Sequence, residues 1–499
     1  MSKARLLAFA GKVGPAALVA LAVVLRSNLN YRTAFVDEAI NMFGGWQVLN
    51  GLRTYAMTFH MGWYLLSFLP LGLAGWLRGL EYARAVNAVW GVLTVWVVFL
   101  TARRAYGKSA GCIAGGVFAV FAPAIVISTF ATYDSLSMLL TAVAIYCWVR
   151  GLSDGGDSLF LLGGLAMTAA VLAKYAAVVV AAVCLAYGLL LAVVQSRVSI
   201  RKDAARDVSI QLPGRCLKRL VLSGLPFMLL LIYAFAYRTE LGQLWQGQVL
   251  TKESGDPNVR WAILKLLSEY LWLPVLLALP TLLWREKRAV SFGFWLVGSG
   301  VLMYHLLNKD QTTLYKHTCY MLVGLAPLAG GGLTVLGRWV QGRVRRVDAA
   351  MVTAVAGVVA IAYMGAVGQS MLPGLRSYWS DTSEVMQYMR SRVNDGDTLL
   401  MEGGAVGEYY LIARGTPGHI PARVLDTWWY VDEQGSGIEA YRRAIVEGRF
   451  DWIVFDYVFT GGLDRELAQT MQGRYELQAS FPARVYGQYG TIDIFKALK

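Results

Sequence analysis

The chain has 499 residues, of which 56% are hydrophobic and only 16% charged, with a mean hydropathy of +0.47. That balance excludes an ordinary soluble enzyme and makes the bilayer the main solvent. The formal net charge of +14 does not point to nucleic acid, because the Lys and Arg stand in short clusters between apolar runs, the pattern of the positive-inside bias.

Lys3, Arg5 and Lys12 precede an apolar stretch in the manner of a signal peptide. No convincing small-residue cleavage site follows, so an uncleaved first span is expected from about Gly14 to Arg26, with the N-terminus in the cytoplasm. Runs of roughly 17 to 25 apolar residues then give about eleven helical spans before residue 372. The basic clusters Arg103-Arg104-Lys108, Arg197 to Arg219, Arg285-Lys287-Arg288 and Arg338 to Arg346 belong on the cytoplasmic side. That threading leaves a long outer loop to about Arg84, whose stretch from Met61 to Trp76 reads as interfacial or re-entrant: as a full crossing it would turn the Arg103 cluster outward.

Past Pro373 the composition becomes mixed. Thr398 to Met401 and Trp452 to Phe455 read as short buried strands, and Ile438 to Glu447 and Leu463 to Met471 have helical spacing. A last pair of strands flanks Tyr486 to Gly490. The expected architecture is a polytopic α-helical membrane domain over residues 1–372 and an extracytoplasmic α/β domain over 373–499.

The outer loops hold the residues that can carry chemistry. Asp37 and Glu38 follow the first span, where a carboxylate can take a proton from a hydroxyl approaching from water; the plainer reading is a charge pair at a helix N-terminus. Asp134 heads a later span as a second acidic group or as an N-cap. His60 opens the interfacial stretch, and Lys174, Lys309, Lys316 and His317 stand at outer mouths of spans. Such groups suit a lipid-linked phosphate, while snorkelling to the headgroups is the alternative for each lysine. Asp37 and Asp134 are also the pair for a divalent cation such as Mg or Mn, if one binds. The motifs GxxxxGK[ST], HExxH and GxSxG are missing, and the five cysteines form no CxxC. Gly330-Gly331-Gly332 lies in an apolar run and suits close helix packing.

Val36-Asp37-Glu38, His60 with its apolar follow-on, Ala131-Thr132-Tyr133-Asp134, Leu172-Ala173-Lys174-Tyr175 and Lys316-His317-Thr318-Cys319-Tyr320 occur in an order and sidedness that resembles the GT-C superfamily of membrane glycosyltransferases. The branch of protein O-mannosyltransferases and bacterial aminoarabinose transferases is the most similar. Met61-Gly62 stands where relatives commonly have two prolines, and Lys316-His317 where an Arg is frequent. The resemblance implies an inverting transfer of a sugar from a polyprenyl-phosphate donor to a hydroxyl of a glycan, lipid or protein, with Asp37 as base or acceptor-binding group and Glu38 in support. It also implies an integral protein of a bacterial or archaeal plasma membrane. A transporter or flippase of lipid-linked sugars and a non-enzymatic envelope assembly protein are the other classes. The first would place ionisable groups mid-span, and the second would function without Asp37.

Overall fold

A computed structural model describes residues 3–52, 66, 68–154, 156–202, 214–245, 258–309, 311, 313–344, 346–415, 420–427, 430–458, 460–485 and 488–498. The apolar runs form helices α1 (Lys3–Leu25), α2 (Val36–Leu49), α3 (Leu69–Arg78), α4 (Leu80–Tyr106), α5 (Lys108–Val120), α6 (Ala122–Thr129), α7 (Asp134–Asp154), α8 (Ser158–Ala173) and α9 (Ala177–Lys202). They continue as α10 (Gly214–Gly224), α11 (Phe227–Ala236), α12 (Arg238–Trp245), α13 (Val259–Ala278), α14 (Arg288–Asn308), α15 (Leu314–Arg343) and α16 (Ala349–Leu375). Among the described residues seven helices are long and apolar enough to cross a membrane, or eight with the bent pair α5–α6 as one span, and three shorter apolar helices accompany them. The ten residues of α3 reach only about 15 Å, half of a hydrocarbon core of about 30 Å.

Helix α15 is the axis of the bundle, buried along most of its length and packed on α4, α5, α13, α14 and α16. Its three successive glycines make this possible. A Cβ at Gly330 would meet the Ala110 carbonyl oxygen at 2.3 Å, and one at Gly332 the Leu277 carbonyl oxygen at 1.9 Å. This is the close packing expected of that triplet.

The 64° bend between α5 and α6 has a local cause. Pro123 has no N–H to offer the Ala119 carbonyl one turn back. The buried Arg26 fills the gap: its Nη1 donates to the Ala119 oxygen at 3.1 Å and its Nε to Ser128 Oγ at 2.8 Å. The bend leads the chain through residues 130–133 to the start of α7, where Asp134 sits.

The C-terminal region is a strand-containing domain, as expected. Strands β1 (Thr398–Met401), β2 (Arg423–Asp426), β5 (Trp452–Phe455), β6 (Tyr475–Val485) and β7 (Gln488–Ala497) form one sheet in the order β2-β1-β5-β7-β6. A two-residue pair, β3 (Val431–Asp432) and β4 (Gly435–Ser436), lies apart. The central β1 is parallel to both neighbours, with Leu399 opposite Val424 and Trp452, while β7 runs antiparallel to β5 and β6. The two helices read from spacing occur as Ile438–Val446 and Gly461–Thr470. The transmembrane helix α16 runs to Leu375, three residues past the expected boundary.

This domain holds the outer helices in place. Tyr409 Oη donates to the Gly75 carbonyl at 3.2 Å, Arg414 Nη1 to the Trp76 carbonyl at 2.7 Å, and the Ala34 N–H donates to Tyr410 Oη at 3.0 Å. Between α2 and α3 the backbones touch, so that a Cβ on Gly72 would lie 2.3 Å from the Gly45 Cα.

One acidic cluster lies inside the domain, between the ends of β1 and β5. Glu402 accepts from the Thr460 N–H at 2.8 Å and from the Asp456 N–H at 3.2 Å, and Asp464 accepts from Thr460 Oγ1 at 2.8 Å. Burial first, and then Glu402, push the Asp464 carboxyl up to about 8 and the Asp456 carboxyl well above the ordinary range. The folded domain therefore binds more protons than the unfolded chain between the ordinary carboxylate range and about pH 8, and stability falls as pH rises through that window. Thermal unfolding of Asp464→Asn should be less sensitive to pH, with a midpoint above wild type at pH 8.5 and little changed near pH 5.

Candidate active site

The first turn of α2 carries Asp37 and Glu38 side by side, but successive helical residues point about 100° apart, so the two carboxylates face different surroundings. Asp37 faces the bundle mouth. Its side chain is 30% exposed and pairs at 2.5 Å with the Lys316 ammonium, on the first turn of α15 and only 8% exposed. Such a pair joins two elements 279 residues apart.

Glu38 is sealed instead. Its side chain has no exposure, and Arg84 on α4 grips it with two bonds of 2.7 Å. The remaining capacity goes to backbone: the Ala131 N–H donates to Oε1 at 2.8 Å and the Phe35 N–H to Oε2 at 3.0 Å. The Arg84 guanidinium donates further to the carbonyls of Leu29, Arg32 and Thr33 and lies 4.1 Å from the centre of the Tyr31 ring. No face of Glu38 is open to a substrate, so its support of Asp37 acts through the position of α2. The pair ties α2 to α4 and to the residue 131 turn, and so fixes where Asp37 stands.

Asp134 and Lys174 form a second buried ion pair, with Thr132 Oγ1 donating to Asp134 at 3.1 Å and the Lys174 ammonium 5.2 Å from the Tyr133 ring centre. Lys316 lies within electrostatic reach of Asp37 and Asp134 together, so the two pairs form one cluster of alternating charge. His317, next on α15, is 7% exposed and shares a 2.8 Å hydrogen bond with His305 of α14. Tyr315 and Tyr378 meet hydroxyl to hydroxyl at 3.1 Å beside them.

The expected residues Asp37, Asp134, Lys174, Lys316 and His317 are thus brought together. Lys309 ends α14 in the left-handed region, φ 50°, just before α15. His60 lies outside the described residues. Arg84, Tyr31 and His305 were not anticipated; Arg84 stands in the sequence reading only as the end of the long outer loop.

A divalent cation on Asp37 and Asp134 does not fit this arrangement. Each carboxylate already holds an ammonium, and among the described residues no group of three His, Cys, Asp or Glu side chains is placed to hold a metal ion.

A polar cleft of about 1000 Å3 opens between the outer loop and the C-terminal domain, lined by Tyr31, Arg32, Arg78, Glu81, Arg390 and Tyr410 among others. Arg84 forms part of its wall, whereas Asp37, Asp134, Lys174 and Lys316 do not line it. The Arg104–Asp154 and Lys218–Asp157 pairs lie at the opposite end of the bundle, since α4 runs from Arg84 at the cluster to Arg104 at its other end.

Residues 78–206 match the family described as dolichyl-phosphate-mannose-protein mannosyltransferase, a stretch holding Arg84, Asp134 and Lys174 but neither Asp37 nor Lys316. None of the curated proteins matches the chain by sequence. Among solved structures, ArnT from Cupriavidus metallidurans bound to undecaprenyl phosphate superposes with a TM-score of 0.58 at 16% identity, covering 97% of this chain and 98% of that one. AglB from Archaeoglobus fulgidus, an archaeal oligosaccharyltransferase in complex with an inhibitory peptide and a dolichol-phosphate, gives 0.56 at 12% identity over 96% of this chain and 74% of that one. The mycobacterial arabinofuranosyltransferase AftD gives 0.53 at 14% identity over 98% of this chain and 40% of that one. At such identities the likeness is one of architecture, and it extends over nearly the whole chain: this protein has the GT-C fold of the membrane glycosyltransferases.

Proposed function

We propose that the protein is an inverting glycosyltransferase that moves a sugar from a polyprenyl-phosphate donor to an acceptor hydroxyl on the outer side of the membrane. The observation that carries this reading is the Asp37–Lys316 pair, a part-exposed carboxylate on a buried ammonium at the bundle mouth. The complexes of ArnT with undecaprenyl phosphate and of AglB with dolichol-phosphate support the donor class. The Lys and Arg clusters at the opposite end of the bundle support an outer position for the site and for the C-terminal domain.

The acceptor oxygen attacks the anomeric carbon as the bond from that carbon to the phosphate oxygen breaks. The acceptor proton passes to Asp37, and the lipid phosphate leaves with the electron pair. Lys316 serves both ends of this step. While Asp37 is a carboxylate it holds the ammonium; once protonated it releases that charge to the departing phosphate. Lys174 adds a second cation anchored on Asp134. The exposed Trp261 and Leu264 of α13 and Met303 and Leu307 of α14 suit the polyprenyl chain at the mouth, and the acceptor hydroxyl approaches Asp37 from its exposed side.

The test is turnover by purified protein in lipid nanodiscs given radiolabelled polyprenyl-phosphate sugars and envelope glycan, lipid and peptide acceptors. Formation of glycosylated acceptor and free polyprenyl phosphate, with inversion at the anomeric carbon, is the expected outcome. Movement of the intact donor between leaflets without transfer would establish a flippase instead.

A further inference from the structure

His305 belongs to no motif and lies outside the ion-pair cluster, yet it is fully buried in α14 and its Nε2 stands 2.8 Å from His317 Nδ1. One nitrogen of this pair donates and the other accepts, so the tautomer of one ring fixes that of the other. The two ring nitrogens of an imidazole point in divergent directions, so His317 Nε2 faces away from α14. That atom is buried and has no hydrogen-bond partner among the described residues. Its charged neighbours are Lys174, Lys316 and Asp134. Each of the two ammonium groups already has its own carboxylate.

Resting on the reading of the site given above, we propose that His305 is a positioning residue: its Nε2–H donates to His317 Nδ1, which places the His317 proton on Nε2 as a ready donor to the phosphate of the lipid-linked sugar. An anion gathered by two lysines needs a donor at that nitrogen, since a lone pair there would repel it. The arrangement parallels the way a second partner fixes the tautomer of a histidine that must present one chosen nitrogen. His305 itself touches no reacting atom.

The experiment titrates polyprenyl monophosphate into the purified full-length protein and determines KM for donor and acceptor separately. His305→Gln can place an amide N–H near the position of Nε2 and should bind the lipid phosphate within about twofold of wild type, whereas His305→Asn is too short and should bind about tenfold more weakly, the loss of one charge-assisted hydrogen bond. The donor KM should rise with the Asn variant while the acceptor KM stays unchanged. In a His317→Gln background, where the amide donates without a tautomer to be fixed, His305→Asn should cause no further loss. Equal behaviour of the Gln and Asn variants, or the same loss in both backgrounds, would overturn the proposal in favour of packing alone. Lys316→Met separates the two levels. If it weakens phosphate binding and His305→Asn does not, only the role of His305 falls; if it too binds normally, the reading of the site falls with it.

Discussion

Replacing Asp37 by Asn should reduce transfer by roughly 10²- to 10⁴-fold, the usual contribution of a positioned general base, while the protein folds and still binds polyprenyl phosphate. Asn keeps the shape and a hydrogen-bond acceptor for Lys316 but cannot take the acceptor proton. Because the Asp37 side chain is 30% exposed and its ammonium partner nearly buried, the neutral variant leaves Lys316 without its counter-charge, which favours an anion in its place. The account therefore expects a split: kcat falls steeply, and affinity for the lipid phosphate stays the same or rises. Asp37→Glu, with the carboxylate shifted by one methylene, should keep measurable activity. Rates measured per folded molecule, with thermal midpoints as control, decide this, and wild-type turnover in the Asn variant would remove Asp37 from the reaction.

The second large effect is on stability. Glu38→Gln should destabilise the protein by about 3 to 5 kcal/mol, because it leaves the buried Arg84 guanidinium as an uncompensated charge. Arg84→Met should do the same from the other side. Joining Glu38→Leu with Arg84→Met should recover part of the loss by removing both charges. Full recovery is not expected, since the N–H groups of Phe35 and Ala131 and the carbonyls of Leu29, Arg32 and Thr33 all lose partners. Thermal midpoints in detergent for the two single variants and the double variant give the coupling directly. A Glu38→Gln protein that is as stable as wild type but inactive would return Glu38 to the chemistry.

These two neighbours show how far a sequence carries the site. Phe35 to Ile40 reads as a short helix just beyond a span, and nothing in it distinguishes Asp37 from Glu38. The distinction arises from what each meets: Arg84, 46 residues on, for one, and Lys316, 279 residues on, for the other. Pairings at that separation are set by how helices pack, which periodicity does not encode. Asp134, Lys174 and Lys316 were legible because a charged residue beside an apolar run is uncommon and because the loop charges place all three at one end. Their division into two ion pairs was not. His305 was hidden for the opposite reason, as a single polar residue inside an apolar run that looks like lipid-facing helix until its partner is seen.

The same contrast holds in the fold. Strands β1 and β5 are four-residue apolar runs buried between helices, and such runs are visible in sequence. Strand β2, Arg423–Asp426, begins and ends on charged residues at the edge of the sheet, so it carries no buried-strand pattern and went unread. The bend at Pro123 could be suspected from the proline, but its stabilisation by Arg26, almost a hundred residues earlier in the chain, could not.

A structure of the protein with a polyprenyl monophosphate bound tests the central claim most directly. The account predicts the phosphate within hydrogen-bond distance of the Lys316 ammonium and beside Asp37, with the lipid chain along the exposed apolar faces of α13 and α14. A phosphate bound at the opposite end, near Arg104 and Arg219, with the Asp37–Lys316 pair untouched, would contradict it.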